Sequence, residues 1–177
     1  MYRLKNDKRT LQSARWIYEA FSKLLKTNEF SKIKIKEIVE EANVGRTTFY
    51  RIFDSKRDIL TYELDNQFKE IFSLLELENK TDRMVLLKVF LRYWNCNSLI
   101  VEQLIDIRKG YLLYEYFNDY LTNFFVDTSS FKQSELKYLS ATRNAMLFSI
   151  LVEWVKNGKR ESPEQLVDLF ERFAKLK

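Results

Sequence analysis

Apolar residues recur along the chain at spacings of three and four. Leu11, Ala14, Tyr18, Phe21 and Leu25 form one such stripe and predict an amphipathic helix over about 10–27. Ile35, Ile38, Val39 and Ala42 predict a shorter helix, which stops at Asn43-Val44-Gly45. Asn tolerates a left-handed backbone there and Gly carries no steric penalty, so the chain is able to turn sharply. A second short helix, about 46–53, points Phe49, Ile52 and Phe53 inward and leaves Arg46, Thr47, Tyr50 and Arg51 outward. Asp54-Ser55 breaks it, and a longer helix over 56–77 carries Leu60, Leu64, Phe68, Ile71 and Leu75 on one side. Further helices are predicted at about 82–95, 98–108, 111–126, 132–156 and 163–176. The last has the clearest start: Ser162 as N-cap, Pro163 at the first helical position, Glu164 for the helix dipole and Gln165 to complete a capping box. Asn157-Gly158 is a stop for the helix before it.

Composition removes the competing folds. Three glycines and one proline in 177 residues are too few for tight hairpins or glycine-rich phosphate loops, so an all-α protein is expected. Histidine is absent, which excludes His-based triads, histidine general bases and the commonest zinc sites. The carboxylates are scattered along polar faces, so no catalytic residue, metal or cofactor is expected and the chain does not read as an enzyme. Cys96, the single cysteine, cannot form an internal disulfide and reads as a small buried hydrophobe. The polar start and the interruption of Ala145–Val155 by Ser149 and Glu153 predict a cytoplasmic protein without a membrane partner.

Charge is unevenly placed. The chain carries a net +5, yet residues 1–60 hold 14 basic and 8 acidic side chains, a net of +6, while the remainder is at −1. An anionic partner for the first third is the direct implication. Residues 35–53 also have the proportions of a helix-turn-helix, with a polar, basic outer face on the second helix. Arg pairs bidentately with guanine, Thr hydrogen-bonds or touches the thymine methyl, and a Tyr hydroxyl binds phosphate. Two short helices with a glycine turn also occur in helical proteins that never meet DNA, so spacing alone leaves a purely structural unit open.

Phe30 through Leu60, FSKIKIKEIVEEANVGRTTFYRIFDSKRDIL, strongly resembles the N-terminal domain of the TetR/AcrR family of bacterial transcriptional regulators. Phe30, Ile38, Ala42, Val44, Thr48-Phe49-Tyr50, Phe53 and Ser55-Lys56 stand where the family pattern has them. The resemblance implies an N-terminal three-helix DNA-binding domain, residues 1–55, and a C-terminal helical domain, 56–177, for ligand binding and dimerisation, with helix 56–77 connecting them. It assigns Thr48, Tyr50 and Lys56 to the DNA backbone, and Arg46, Thr47 and Arg51 to the groove. Three positions depart from the pattern. Lys34 replaces a capping Thr or Ser and adds a candidate phosphate contact, Asn43 replaces a turn Gly, and Gly45 replaces a common Ser.

For the second domain the resemblance implies a homodimeric repressor released from a palindromic operator by a small, hydrophobic or aromatic effector. The alternative is a TetR-like coactivator working through a protein partner. Phe90, Tyr93, Trp94, Tyr111, Tyr114, Phe117 and Phe148 are the pocket candidates, although each also suits a packed core. The two C-terminal helices are apolar on more than one face, which nominates Phe148, Leu151, Val155, Leu166, Phe170 and Phe173 for a subunit interface. A helix buried centrally within one chain is the other explanation.

Overall fold

The computed structural model describes residues 2–3, 7–77, 83–121 and 132–175, all of them helix or connection. The helices are α1 (Lys8–Leu25), α2 (Ile35–Glu41), α3 (Arg46–Ile52), α4 (Lys56–Leu77), α5 (Arg83–Cys96), α6 (Leu99–Asp106), α7 (Gly110–Leu121), α8 (Gln133–Lys156) and α9 (Pro163–Lys175). Each predicted helix is present within one to two residues at most ends; the expected continuation over 122–126 lies outside the described residues. None of these helices is long and apolar enough to cross a membrane.

The chain divides into two compact units, Met1–Asn66 and Gln67–Lys177, with the boundary inside α4. In the first unit α1, α2 and α3 pack on one another in pairs. Ala14, Ile17, Tyr18, Phe21, Ile38, Phe49, Ile52 and Phe53 form the core, each at most 4% exposed. The α1 stripe is rotated slightly from the expected one: Ile17 is fully buried, whereas Leu11 is 40% exposed and Leu25 half-buried. Asp7 starts α1 by accepting from the Thr10 N–H at 2.8 Å and the Thr10 hydroxyl at 2.7 Å.

Helix α2 ends in a Schellman motif. The Val44 N–H donates to Val39 O at 3.0 Å, the Asn43 N–H donates to Glu40 O at 3.2 Å, and Asn43 takes the left-handed conformation with φ 51°. Gly45, by contrast, sits at φ −76° as the N-cap of α3, a conformation open to any residue. The expected use of its conformational freedom is therefore corrected: Asn43 makes the turn. The same motif closes α8, through Gly158 at φ 72°.

In the second unit α7 packs on α8, α6 lies against both, and α5 packs on α9. Phe68 forms an aromatic cluster with Trp94 and Phe117 at ring separations of 5.9 and 5.6 Å. The start of α9 is built as the Ser-Pro-Glu-Gln run predicts. Gln165 N–H donates to Ser162 Oγ at 3.2 Å, and Ser162 N–H donates to Gln165 Oε1 at 2.7 Å. Arg92 on α5 reaches Glu164 at 2.7 Å, and the Trp154 indole donates to Glu161 O at 2.9 Å.

Candidate nucleic-acid interface

Helix α3 has seven residues, too few to be stable alone, so its orientation is set by what it buries. Phe49, Ile52 and Phe53 are essentially inaccessible, and that apolar edge directs the opposite face outward. Arg46, Thr47, Tyr50 and Arg51 are all exposed, Tyr50 by 52%, and Thr48 is half-buried. The Tyr50 ring packs edge-on against Phe49 at 5.4 Å, which steadies a side chain whose polar end faces solvent. Arg46 has no ion-pair partner among the described residues. Two guanidinium groups and two hydroxyl-bearing side chains thus line one exposed helix face, a set of donors suited to phosphates and to guanine edges.

The elements around α3 hold it in register. Lys34, the exposed N-cap of α2, supplies no side-chain cap; instead Glu37 accepts from the Lys34 backbone N–H at 2.6 Å. The departure from Thr or Ser at this position is thus half compensated from the third residue of the helix. After α3, Asp58 accepts from the Asp54 and Ser55 N–H groups at 2.9 and 3.1 Å and fixes the turn into α4. This device was readable in advance, since Ser55-Lys56-Arg57-Asp58 has capping-box spacing.

Lys56 is placed differently from the expectation. Its ammonium donates to Phe30 O at 2.5 Å, Ile33 O at 2.6 Å and, more weakly, Ser31 O at 3.4 Å, and it lies 4.7 Å from the centre of the Phe30 ring. Two short bonds and one long one thus engage the ammonium with carbonyls of its own chain. Lys56 ties the connection that leads into α2 to the first turn of α4. Burial lowers its pKa, with Glu37 opposing the shift. Sequence spacing carried no sign of this tie, because the partners lie more than twenty positions away.

The other predicted groups separate. Phe90, Tyr93, Trp94 and Phe117 are at most 5% exposed and belong to the packed interior of the second unit; Tyr114 and Phe148 are half-buried and touch each other at 5.4 Å; Tyr111 is 47% exposed on the surface. Tyr93 donates to Gln67 at 2.5 Å. Burial thus divides the seven: four lie in the interior, two are half-buried and one is on the surface. Leu151, Val155, Leu166 and Phe170 are at most 7% exposed within the single chain, so they have no surface left for a second copy. Within the single chain α8 packs on α6 and α7, and α9 on α5, which covers these four side chains; Phe148 is half-buried and Phe173 52% exposed. Cys96, expected to be buried, is exposed at the end of α5. A shallow depression of about 370 Å³ lies in the first unit between Trp16, Glu19 and Lys23 of α1 and Glu41 to Asn43, and its lining includes none of the predicted site residues. No group of three or more potential metal ligands occurs among the described residues.

Comparison with known proteins agrees with this geometry. Residues 17–62, which include α2, α3 and the turn between them, match the bacterial regulatory proteins of the tetR family. Over 107 residues the chain is 25% identical to the HTH-type dhaKLM operon transcriptional activator DhaS of Lactococcus lactis subsp. lactis (strain IL1403), covering 60% of this chain and 56% of that protein. The chain thus spans little more than half the length of this relative. Lin0861 from Listeria innocua superposes with a TM-score of 0.81 at 19% identity, over 97% of this chain and 94% of the other. A TetR transcriptional regulator from Streptococcus agalactiae 2603V superposes with a TM-score of 0.68 at 22% identity, over 93% and 94% of the two chains. At these identities the superpositions establish the fold, and the family rests on the matched N-terminal residues. Residues 17–62 thus carry the sequence of the tetR family of bacterial regulatory proteins around a helix-turn-helix, and the described residues share the all-helical fold of the superposed structures.

Proposed function

We propose that the chain binds a palindromic double-stranded operator as a homodimer, that residues 1–55 make the DNA contacts, and that a small molecule bound by the part from residue 56 onward releases it as a repressor. The observation that carries the DNA reading is α3 itself: Arg46, Thr47, Tyr50 and Arg51 are exposed opposite a fully buried Phe49, Ile52 and Phe53. Arg46, Thr47 and Arg51 read base edges, while Lys34, Thr48 and Tyr50 hold phosphates. The net +6 on residues 1–60 attracts the duplex. Two copies of α3 related by a two-fold axis reach successive major grooves roughly 34–36 Å apart. Self-association is supported by the apolar side chains that α8 and α9 leave exposed, Tyr138, Met146 and Phe173. An effector site is supported by Trp94, whose buried indole N–H has no partner among the described residues. A ligand acts on DNA binding only through different affinities for the competent and incompetent states.

Enrichment of duplexes from a random-sequence pool tests the proposal directly. An inverted repeat is expected, with the Arg46→Ala/Tyr50→Ala variant binding it on the order of 100-fold more weakly. Unchanged binding by that variant defeats the assignment. Sedimentation of the free chain reads the dimer, and metabolite addition to the selected complex reads release. Activation is the second reading, favoured by the likeness to DhaS, an activator by name. A reporter carrying the selected site separates the two by the sign of the response.

A further inference from the structure

Helix α3 is clamped from outside the helix-turn-helix. The Arg3 N–H donates to Ile52 O, the last carbonyl of α3, at 2.7 Å. That carbonyl is among those a helix end leaves without an internal partner. The Arg3 guanidinium pairs with Asp54 at 3.2 Å in the turn that follows. Tyr2, one residue before, places its ring edge-on to Phe53 at 6.3 Å and to Tyr62 at 5.7 Å, and donates its hydroxyl to Asp65 on α4. Phe53 and Tyr62 are themselves in contact at 5.7 Å, so the three rings close one cluster.

We infer that Tyr2 and Arg3 form a strap that holds the C-terminal end of α3 against α4, and that both are positioning residues for the DNA-reading helix. The inference rests on the DNA reading proposed above. A seven-residue helix depends on tertiary contacts for its existence, and this strap supplies a backbone cap, an ion pair and an aromatic contact at the end farthest from Gly45. Arg3 acts through Ile52 and Asp54, not by touching a phosphate. Loss of the strap frees the end of α3, and binding falls in proportion to the fraction of chains in which the helix remains docked.

The test compares full-length Tyr2→Ala/Arg3→Ala with Tyr2→Phe/Arg3→Lys, which keeps the ring and the charge. Hydrogen exchange of the α3 amides is measured without DNA, and affinity is measured across a salt series on a duplex enriched from a random pool by the unaltered chain. The alanine pair is expected to speed exchange at residues 49–53 and to weaken binding about tenfold with an unchanged salt slope, and the conservative pair to restore both. Unchanged exchange in α3 overturns the strap. So does a binding loss accompanied by a salt slope smaller by about 0.9, which marks Arg3 as a direct phosphate contact. Should the unaltered chain enrich no duplex, the DNA reading fails while the exchange comparison still upholds or overturns the clamp on α3. Arg3→Pro removes the donor to Ile52 and is expected to reproduce the faster exchange on its own.

Discussion

Replacing Lys56 with methionine separates two roles that a basic residue at the start of α4 is able to play. The substitution keeps the apolar stem and removes the ammonium that donates to Phe30 O, Ser31 O and Ile33 O. Of these, Ile33 is only 3% exposed, Phe30 is half-buried and Ser31 is exposed. The Ile33 carbonyl therefore bears most of the loss, at about 1–2 kcal/mol for a buried acceptor left unmade, and Phe30 adds about 0.5–1 kcal/mol because water partly replaces its donor. The 3.4 Å bond to Ser31 adds little. The total is about 1.5–3 kcal/mol, or roughly 3–12 °C in melting temperature for a chain of this length. Thermal unfolding followed by circular dichroism reads it. Binding to the enriched duplex, measured well below the transition, is expected to keep its dependence on salt. A Lys56→Met variant with unchanged stability and a salt slope reduced by about 0.9 refutes the tie and restores Lys56 as a phosphate contact.

Three further outcomes follow from the geometry. Asn43→Ala is expected to cost about 1 kcal/mol because the left-handed backbone at φ 51° crowds the Cβ of either residue and alanine lacks the short polar side chain that offsets this in Asn, whereas Asn43→Gly is close to neutral; urea midpoints of the pair check this. Gly45→Ser is expected to stabilise α3 by a few tenths of a kcal/mol or more, since a Cβ there meets nothing within 4 Å and a hydroxyl at an N-cap accepts from the first turn; a melting temperature below the unaltered chain's contradicts it. The Arg92 hydrogen bond holds the Glu164 pKa below its ordinary 4.5, and the Thr10 hydroxyl and N–H hold that of Asp7 below 3.8. Their folded-state values lie below the unfolded ones, so their contributions are complete above those ordinary values and are lost as pH falls through the depressed pKa values. Glu164→Gln is therefore expected to flatten the acid limb of a stability-versus-pH curve below about 4.5, and an unaltered limb counts against the α5–α9 tie.

Helices were readable because their determinants are local. The three-and-four spacing of Ile38, Val39 and Ala42, the Ser162-to-Gln165 start of α9 and the Asn157-Gly158 stop all act within a turn or two of the backbone, where side-chain identity decides the outcome. The outward face of α3 was readable for the same reason, since burying Phe49, Ile52 and Phe53 leaves only one direction for Arg46, Thr47, Tyr50 and Arg51. Features that depended on distant partners were not. Lys56 faces carbonyls 23 to 26 positions away, and Tyr2 meets a carboxylate 63 positions away; no periodicity encodes either pairing. Helices α8 and α9 show the limit most clearly. Their patterns announce more apolar surface than one face needs, but only packing decides that Leu151, Val155, Leu166 and Phe170 are covered within the chain while Met146 and Phe173 stay exposed. Burial is a property of two surfaces brought together, and one strip of sequence describes only one of them.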